Sequence, residues 1–141
     1  MTKRAMLLIL TMILMIMPLT VYAEDGVPFS DTHFHSYEIT LGTTDQGYLH
    51  IVFSIQAKQT AEIIGVPVFD IQQKIDGEWV TIESSLEGYL KSDSVSCTFS
   101  KNYTGAVIGE KYRIYAPLYI KKYDGTSRMI YYTSQSYTLG R

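Results

Sequence analysis

The chain has 141 residues, with 14 acidic and 12 basic side chains and a formal net charge of −2 at pH 7. That length suits a single domain, and the slight acidic excess excludes the basic footprint of a nucleic-acid binder and electrostatic adhesion to anionic lipid. Cys97 is the only cysteine, which excludes an intramolecular disulfide framework.

The chain opens "MTKRAMLLILTMILMIMPLTVYAEDG". Lys3 and Arg4 form a positive n-region, Ala5 to Met17 an apolar core, Pro18 a break, and Val21-Tyr22-Ala23 a small-residue cleavage site. That layout predicts a secretory signal peptide over residues 1–23, cleaved near Ala23. The alternative is an uncleaved N-terminal membrane anchor, because Ala5 to Ala23 approaches the roughly 20 residues needed to cross a bilayer. Cleavage makes the protein secreted or cell-surface associated, its contact with the membrane confined to the leader. Loss of Lys3 and Arg4 takes the net charge to about −4. The absence of disulfides in a small exported chain points to a bacterial source.

Residues 24–141 are expected to form one all-β domain. Apolar and polar residues alternate, and clusters of Gly, Asp and Ser interrupt them about every ten residues, the signature of a sandwich or barrel. "FHSYEITL" is the first strand. In "YLHIVFSIQA", Leu49, Ile51, Phe53, Ile55 and Ala57 share one face. "VFDIQQKIDGEWVTIES" is a hairpin around Asp76-Gly77, whose two residues suit a type I′ turn. That turn sets Ile75 opposite Glu78, Lys74 opposite Trp79 and Ile71 opposite Ile82. It turns Ile71, Ile75, Val80 and Ile82 inward and lays Trp79 on the other face against the Lys74 stem. "SVSCTFS" follows, with Val95, Cys97 and Phe99 on one side. Then "KYRIYAPLYIKK" and "RMIYYTSQSYTL" are joined through Asp124-Gly125. The count is about seven strands in an antiparallel β-sandwich.

Within "AVIGEKYRIYAPLY", Gly109, Tyr112, Ile114 and Ala116 are spaced as Gly-x-x-Tyr-x-hydrophobic-x-Ala. This resembles the start of the sixth strand in fibronectin type III and related immunoglobulin-like domains, where the tyrosine hydroxyl bonds to backbone a few residues upstream. The resemblance implies an immunoglobulin-like sandwich with Tyr112 as its corner tyrosine. The chain departs from the family pattern at Phe53, where a tryptophan is usual, and in lacking the paired cysteines. It also resembles small proteins exported by Gram-positive bacteria, which implies no activity.

"SDTHFHSYE" contains Asp31-x-His33-x-His35, a string that opens the metal site of α/β-barrel hydrolases. Those barrels need about 250 residues, so the likeness is a coincidence of composition. His33 and His35 are expected to project to one side of a strand, in a structural or accidental role, with a fortuitous metal site shared with Asp31 or Glu38 as the alternative. No Gly-x-Ser-x-Gly or Ser-x-x-Lys nucleophile motif and no phosphate-binding glycine loop is present. Glu83 and Glu87 read as solvated loop acids, with a carboxylate pair of the glycoside-hydrolysis kind as the alternative, and Asn102-Tyr103-Thr104 as an incidental sequon. Cys97 reads as a small buried hydrophobe, with a reactive thiol as its alternative. No catalytic residue, metal ligand or cofactor is predicted.

Seven tyrosines fall between Tyr112 and Tyr137. With Tyr112, Ile114, Ala116, Leu118 and Ile120 toward the core, Tyr115 and Tyr119 face outward. A two-residue Asp124-Gly125 turn sets Ile130 and Tyr132 beside them. Tyr115, Tyr119, Ile130 and Tyr132, together with Trp79, are the candidate ligand-binding residues. The bland alternative is cross-strand pairing that stabilises a solvated sheet. The expected function is a non-catalytic binding or adhesion module for an extracellular protein or polysaccharide. A self-assembling surface subunit is the first alternative and a small secreted enzyme or toxin the second.

Overall fold

The computed structural model describes residues 31–140, so the expected leader lies outside the described residues. Those residues form six strands and no helix: β1 (Phe34–Thr43), β2 (Leu49–Ile75), β3 (Glu78–Tyr103), β4 (Lys111–Lys121), β5 (Ser127–Thr133) and β6 (Tyr137–Thr138). All belong to one antiparallel sheet. The expectation of about seven strands is corrected to six: two mergers remove two, and "RMIYYTSQSYTL" divides into β5 and β6. The stretches "YLHIVFSIQA" and "VFDIQQKI" are one 27-residue strand, and the two segments after Asp76-Gly77 merge into one of 26 residues. Residues 57–64 hold no Gly or Pro to break the first of these.

Such long strands exceed the span of a small domain, so the sheet folds over itself. An extended run from residue 53 to residue 69 would cover about 50 Å at roughly 3.3 Å per residue. Yet the rings of Phe53 and Phe69 lie 5.0 Å apart. The fold is made at an irregularity where Gln56 pairs with Ser96 but Ala61 pairs with Ser94, leaving extra residues on β2. Asp93 turns to a positive φ of 56° beside it. This is the action of a bulge, which bends the strand that carries the surplus. The result is two layers. One holds β1, the first half of β2 and the second half of β3. The other holds the first half of β3, the second half of β2, β4 and β5.

Side chains from both layers fill the space between them. Ile51, Phe53 and Ile55 from the first layer, and Ile64, Ile71, Ile114, Leu118 and Ile120 from the second, are essentially inaccessible to solvent. Cys97, opposite Ile55, is equally buried, and burial pushes its thiol pKa up. The corner hydrogen bond expected at Tyr112 is present: the Val107 amide donates to the Tyr112 hydroxyl over 2.7 Å. At the open seam between β1 and β5, Tyr37 and Tyr132 meet edge to face at 5.2 Å. Below them Arg128 Nε donates to Asp31 Oδ2 at 3.2 Å, and the His33 ring meets Thr126 Oγ1 at 3.2 Å.

Where β2 and β3 cross the second layer their backbones run unusually close. A Cβ on Gly65 would come within 2.1 Å of the Tyr89 carbonyl oxygen, and one on Gly88 within 2.0 Å of the Val66 oxygen. No side chain fits at either position, so both glycines are required for the approach rather than for a turn.

The two hairpin turns behave differently. Asp76 and Gly77 have φ of 51° and 79°, as a two-residue type I′ turn demands, and Lys74 faces Trp79 as expected. Further along, a bulge sets Ile71 opposite Glu83 instead of Ile82. Ile75 and Val80, expected inward, lie past the end of the core and are exposed. In the second hairpin Lys122 N bonds to Thr126 O, and Gly125 alone takes positive φ. That is a three-residue loop, not the expected two-residue turn, and Asp124 caps it by accepting from the Thr126 amide and hydroxyl.

Candidate functional site

The extra loop residue moves the β4–β5 register by one, and a one-residue slip exchanges the faces of a strand. Tyr115 pairs with Thr133, Pro117 with Tyr131 and Tyr119 with Met129. Ile130 and Tyr132 therefore do not stand beside Tyr115 and Tyr119. They pair with Leu118 and Ala116 and pack against the core. Met129 and Tyr131 take their places on the outer face, and Tyr131 is 64% exposed. Tyr115 and Tyr119 do point outward, since exposure alternates strictly along β4. The sequence signal for the true register was Thr126, whose hydroxyl and amide both suit a carboxylate cap on Asp124.

Trp79 joins the same face. Gln72 pairs with Arg113 on one side and with Thr81 on the other, which sets Trp79, Arg113 and Tyr115 on one surface of the second layer. The Arg113 guanidinium lies 4.4 Å from the Trp79 ring centroid, held there by a 2.6 Å hydrogen bond from its Nε to Gln72 Oε1. The Lys74 ammonium stands 5.8 Å from that ring. Arg113 was missed in the sequence because the residue that links it to Trp79 lies on a third strand. The rings of Tyr115 and Tyr131 stack at 6.0 Å with 16° between their planes.

Beyond Tyr119 the surface dips. Gly65 pairs with Tyr119 on one side and Leu90 on the other, and it carries no side chain between them. Leu90 and Met129 are both exposed around this dip. The outer face of the second layer thus runs from Trp79 through the tyrosines to Leu90, its aromatic and aliphatic side chains interleaved with Lys74, Gln72, Thr81, Arg113, Asp70 and Thr133. Lys121 and Glu62 form an ion pair of 3.3 Å at its margin.

The outer face of the first layer has the opposite character. Its rows read Ser36–Gln56–Ser96, Glu38–Ser54–Thr98 and Thr40–Val52–Ser100, with His50 and Asn102 joined by a 2.6 Å hydrogen bond in the next. Val52 is the single apolar side chain in these rows. A recess of about 360 Å³ beside it is bordered by Ser36, Glu38, Ser54, Tyr37 and Tyr132.

The Asp31-x-His33-x-His35 string is a clamp on the fold. Asp31 Oδ1 accepts from the amides of His33 and Phe34 at 2.8 and 2.9 Å. His33 is buried and His35 exposed, so the two rings do not converge as expected. A bulge between Phe34 and Ser36 separates them. Among the described residues no three His, Cys, Asp or Glu side chains are grouped to hold a metal ion. Glu83 accepts a 3.5 Å hydrogen bond from the Tyr103 hydroxyl, while Glu87 is exposed. No protein-family model matches the chain, and no curated protein does.

Proposed function

We propose that the protein is a secreted, non-catalytic binding or adhesion module whose recognition surface is the outer face of β3, β2, β4 and β5. The observation that carries this reading is the contrast between the two outer faces. Both are solvent-facing surfaces of one sheet, and the cost of exposing an apolar side chain is the same on each. One is built almost wholly of short polar residues; the other carries Trp79, Tyr115, Tyr119, Tyr131, Met129 and Leu90. Clusters of exposed aromatic and aliphatic side chains mark interaction sites. The leader-like first 23 residues support export. The folded sheet with its Tyr112 corner supports an immunoglobulin-like, fibronectin type III-like relationship.

The partner is a protein. Stacking a sugar favours rings free on both sides, and here Tyr115 and Tyr131 stack on each other and Arg113 covers one face of Trp79. Those contacts occupy one face of each ring, and the phenolic hydroxyls and the Met129 thioether beside them suit a protein surface. Assembly through the β3 edge fits less well, because that strand is interrupted by bulges and by positive φ at Ser85 and Asp93.

The test is co-sedimentation with intact bacterial cells, protease-treated cells and insoluble polysaccharides. A Tyr115→Ser/Tyr119→Ser/Tyr131→Ser variant is compared with a Ser54→Ala/Thr98→Ala/Ser100→Ala variant of the polar face. The expected result is saturable binding to intact cells that protease treatment and the tyrosine changes both abolish. Binding to polysaccharide, or binding that the tyrosine changes leave intact, overturns it.

A further inference from the structure

β3 is the outermost strand of both layers, so where the sheet folds, its two halves face each other as lips of a seam. Two contacts clasp that seam. Tyr89 meets Phe99 edge to face at 5.9 Å, and the Tyr103 hydroxyl donates to Glu83 at 3.5 Å. Between the clasps the lips stand open over a pocket of about 220 Å³. Its floor is Ile51, Phe69 and Ile71, each at most 3% exposed, with Leu86 as a wall. At the mouth Glu87 stands on one lip and Lys101 on the other. Neither has an ion-pair or hydrogen-bond partner among the described residues.

An apolar cavity of about 150 Å³ accepts a benzene ring; this one has room for a ring and its methylene. Its mouth offers one positive and one negative side chain on opposite sides, complementary to a zwitterion rather than to a single charge. We propose that this pocket binds a free apolar amino acid. The aromatic or branched side chain enters between the layers, the α-carboxylate meets Lys101, and the α-ammonium meets Glu87. The site lies on the seam, apart from the tyrosine face, and its occupancy does not depend on that face binding a partner.

The experiment uses protein expressed from the full-length coding sequence with labelled isoleucine and leucine methyls, titrated and followed by NMR. L-Phenylalanine is expected to saturate while shifting the Ile51, Ile71 and Leu86 methyls. Toluene shifts the same methyls more weakly, and glycine shifts none. N-acetylphenylalanine amide, which has the ring without the charges, behaves like toluene. Lys101→Met and Glu87→Gln each weaken phenylalanine by about tenfold, the loss of one charge-assisted hydrogen bond, and leave toluene unchanged. If neither phenylalanine nor toluene moves these methyls, the pocket does not bind. If the blocked amide binds as well as the free amino acid, or the charge variants bind phenylalanine normally, the zwitterion assignment is wrong.

Discussion

The ring of Phe53 rests 5.0 Å from the ring of Phe69, two positions on one strand that the fold of the sheet brings face to face. Phe53 also stacks on Phe99 at 4.6 Å with its plane tilted by only 6°. The three rings tie the layers together at the centre of the core, and Phe69 is 3% exposed. Phe69→Ala removes the second layer's share of that contact. The expected cost is about 3–5 kcal/mol, read by urea denaturation as a lower midpoint at unchanged slope. A loss below about 1 kcal/mol would mean the ring does not bridge the layers.

Gly65 and Gly88 give a sharper test of the backbone. Gly65→Ala and Gly88→Ala drive a methyl onto carbonyl oxygens at 2.1 and 2.0 Å. Each is expected to cost at least about 1–3 kcal/mol, the usual penalty of overpacking. Gly42→Ala, with nothing within 4 Å of its added Cβ, is the control and should change stability by less than about 0.5 kcal/mol. Thermal melts of the three variants separate the cases, and equal effects at all three positions would refute the close approach.

Asp31 makes stability pH-dependent. Burial pushes its carboxyl pKa up, but hydrogen bonds from the Phe34 and His33 amides, with Arg128 alongside, outweigh this and hold it below the ordinary carboxylate value. Arg128 is half exposed, so the amides contribute more than the ion pair. A lowered folded-state pKa stabilises fully above the unfolded value of about 3.9 and is lost as pH falls through the folded one. Asp31→Asn should be less stable than the parent by about 1–2 kcal/mol at neutral pH. Denaturation midpoints of the two proteins should converge below about pH 4. A gap that stays constant into acid would show that the charge is not responsible.

Trp79 is the only tryptophan, so its fluorescence reports on one place. Arg113→Ala uncovers the ring face that the guanidinium shields at 4.4 Å. The expected result is a red-shifted emission with a stability loss of about 0.5–1 kcal/mol. Lys74→Ala, starting from 5.8 Å, should shift it less. An unchanged spectrum in Arg113→Ala would show that the stack does not persist in solution.

Much of this molecule was legible along the chain. The period-two alternation of "YLHIVFSIQA" and "KYRIYAPLYI" correctly divided inward from outward residues, because exposure on a strand follows parity. Asp76-Gly77 announced its turn, and Tyr112 its corner bond. The candidate face was half legible: Tyr115, Tyr119 and Trp79 stand on it, while Ile130 and Tyr132 were exchanged for Met129 and Tyr131 by one loop residue. Parity along a strand is local, but the partner strand's parity depends on turn length. A carboxylate cap from Asp124 decided that length in favour of three.

The sequence by itself determined an all-β fold for the described residues, the inward faces of "YLHIVFSIQA" and "KYRIYAPLYI" and the first hairpin turn, since these rest on alternation and backbone preference within a few residues. Only the tertiary structure decided that two pairs of expected strands are single strands folded over. It alone brought Arg113 onto Trp79 and set Glu87 across a pocket from Lys101. Those relations join residues far apart in the chain. They arise where a bulge bends the sheet and the buried rings of Phe53 and Phe69 hold the bend, an outcome of packing that no local pattern encodes.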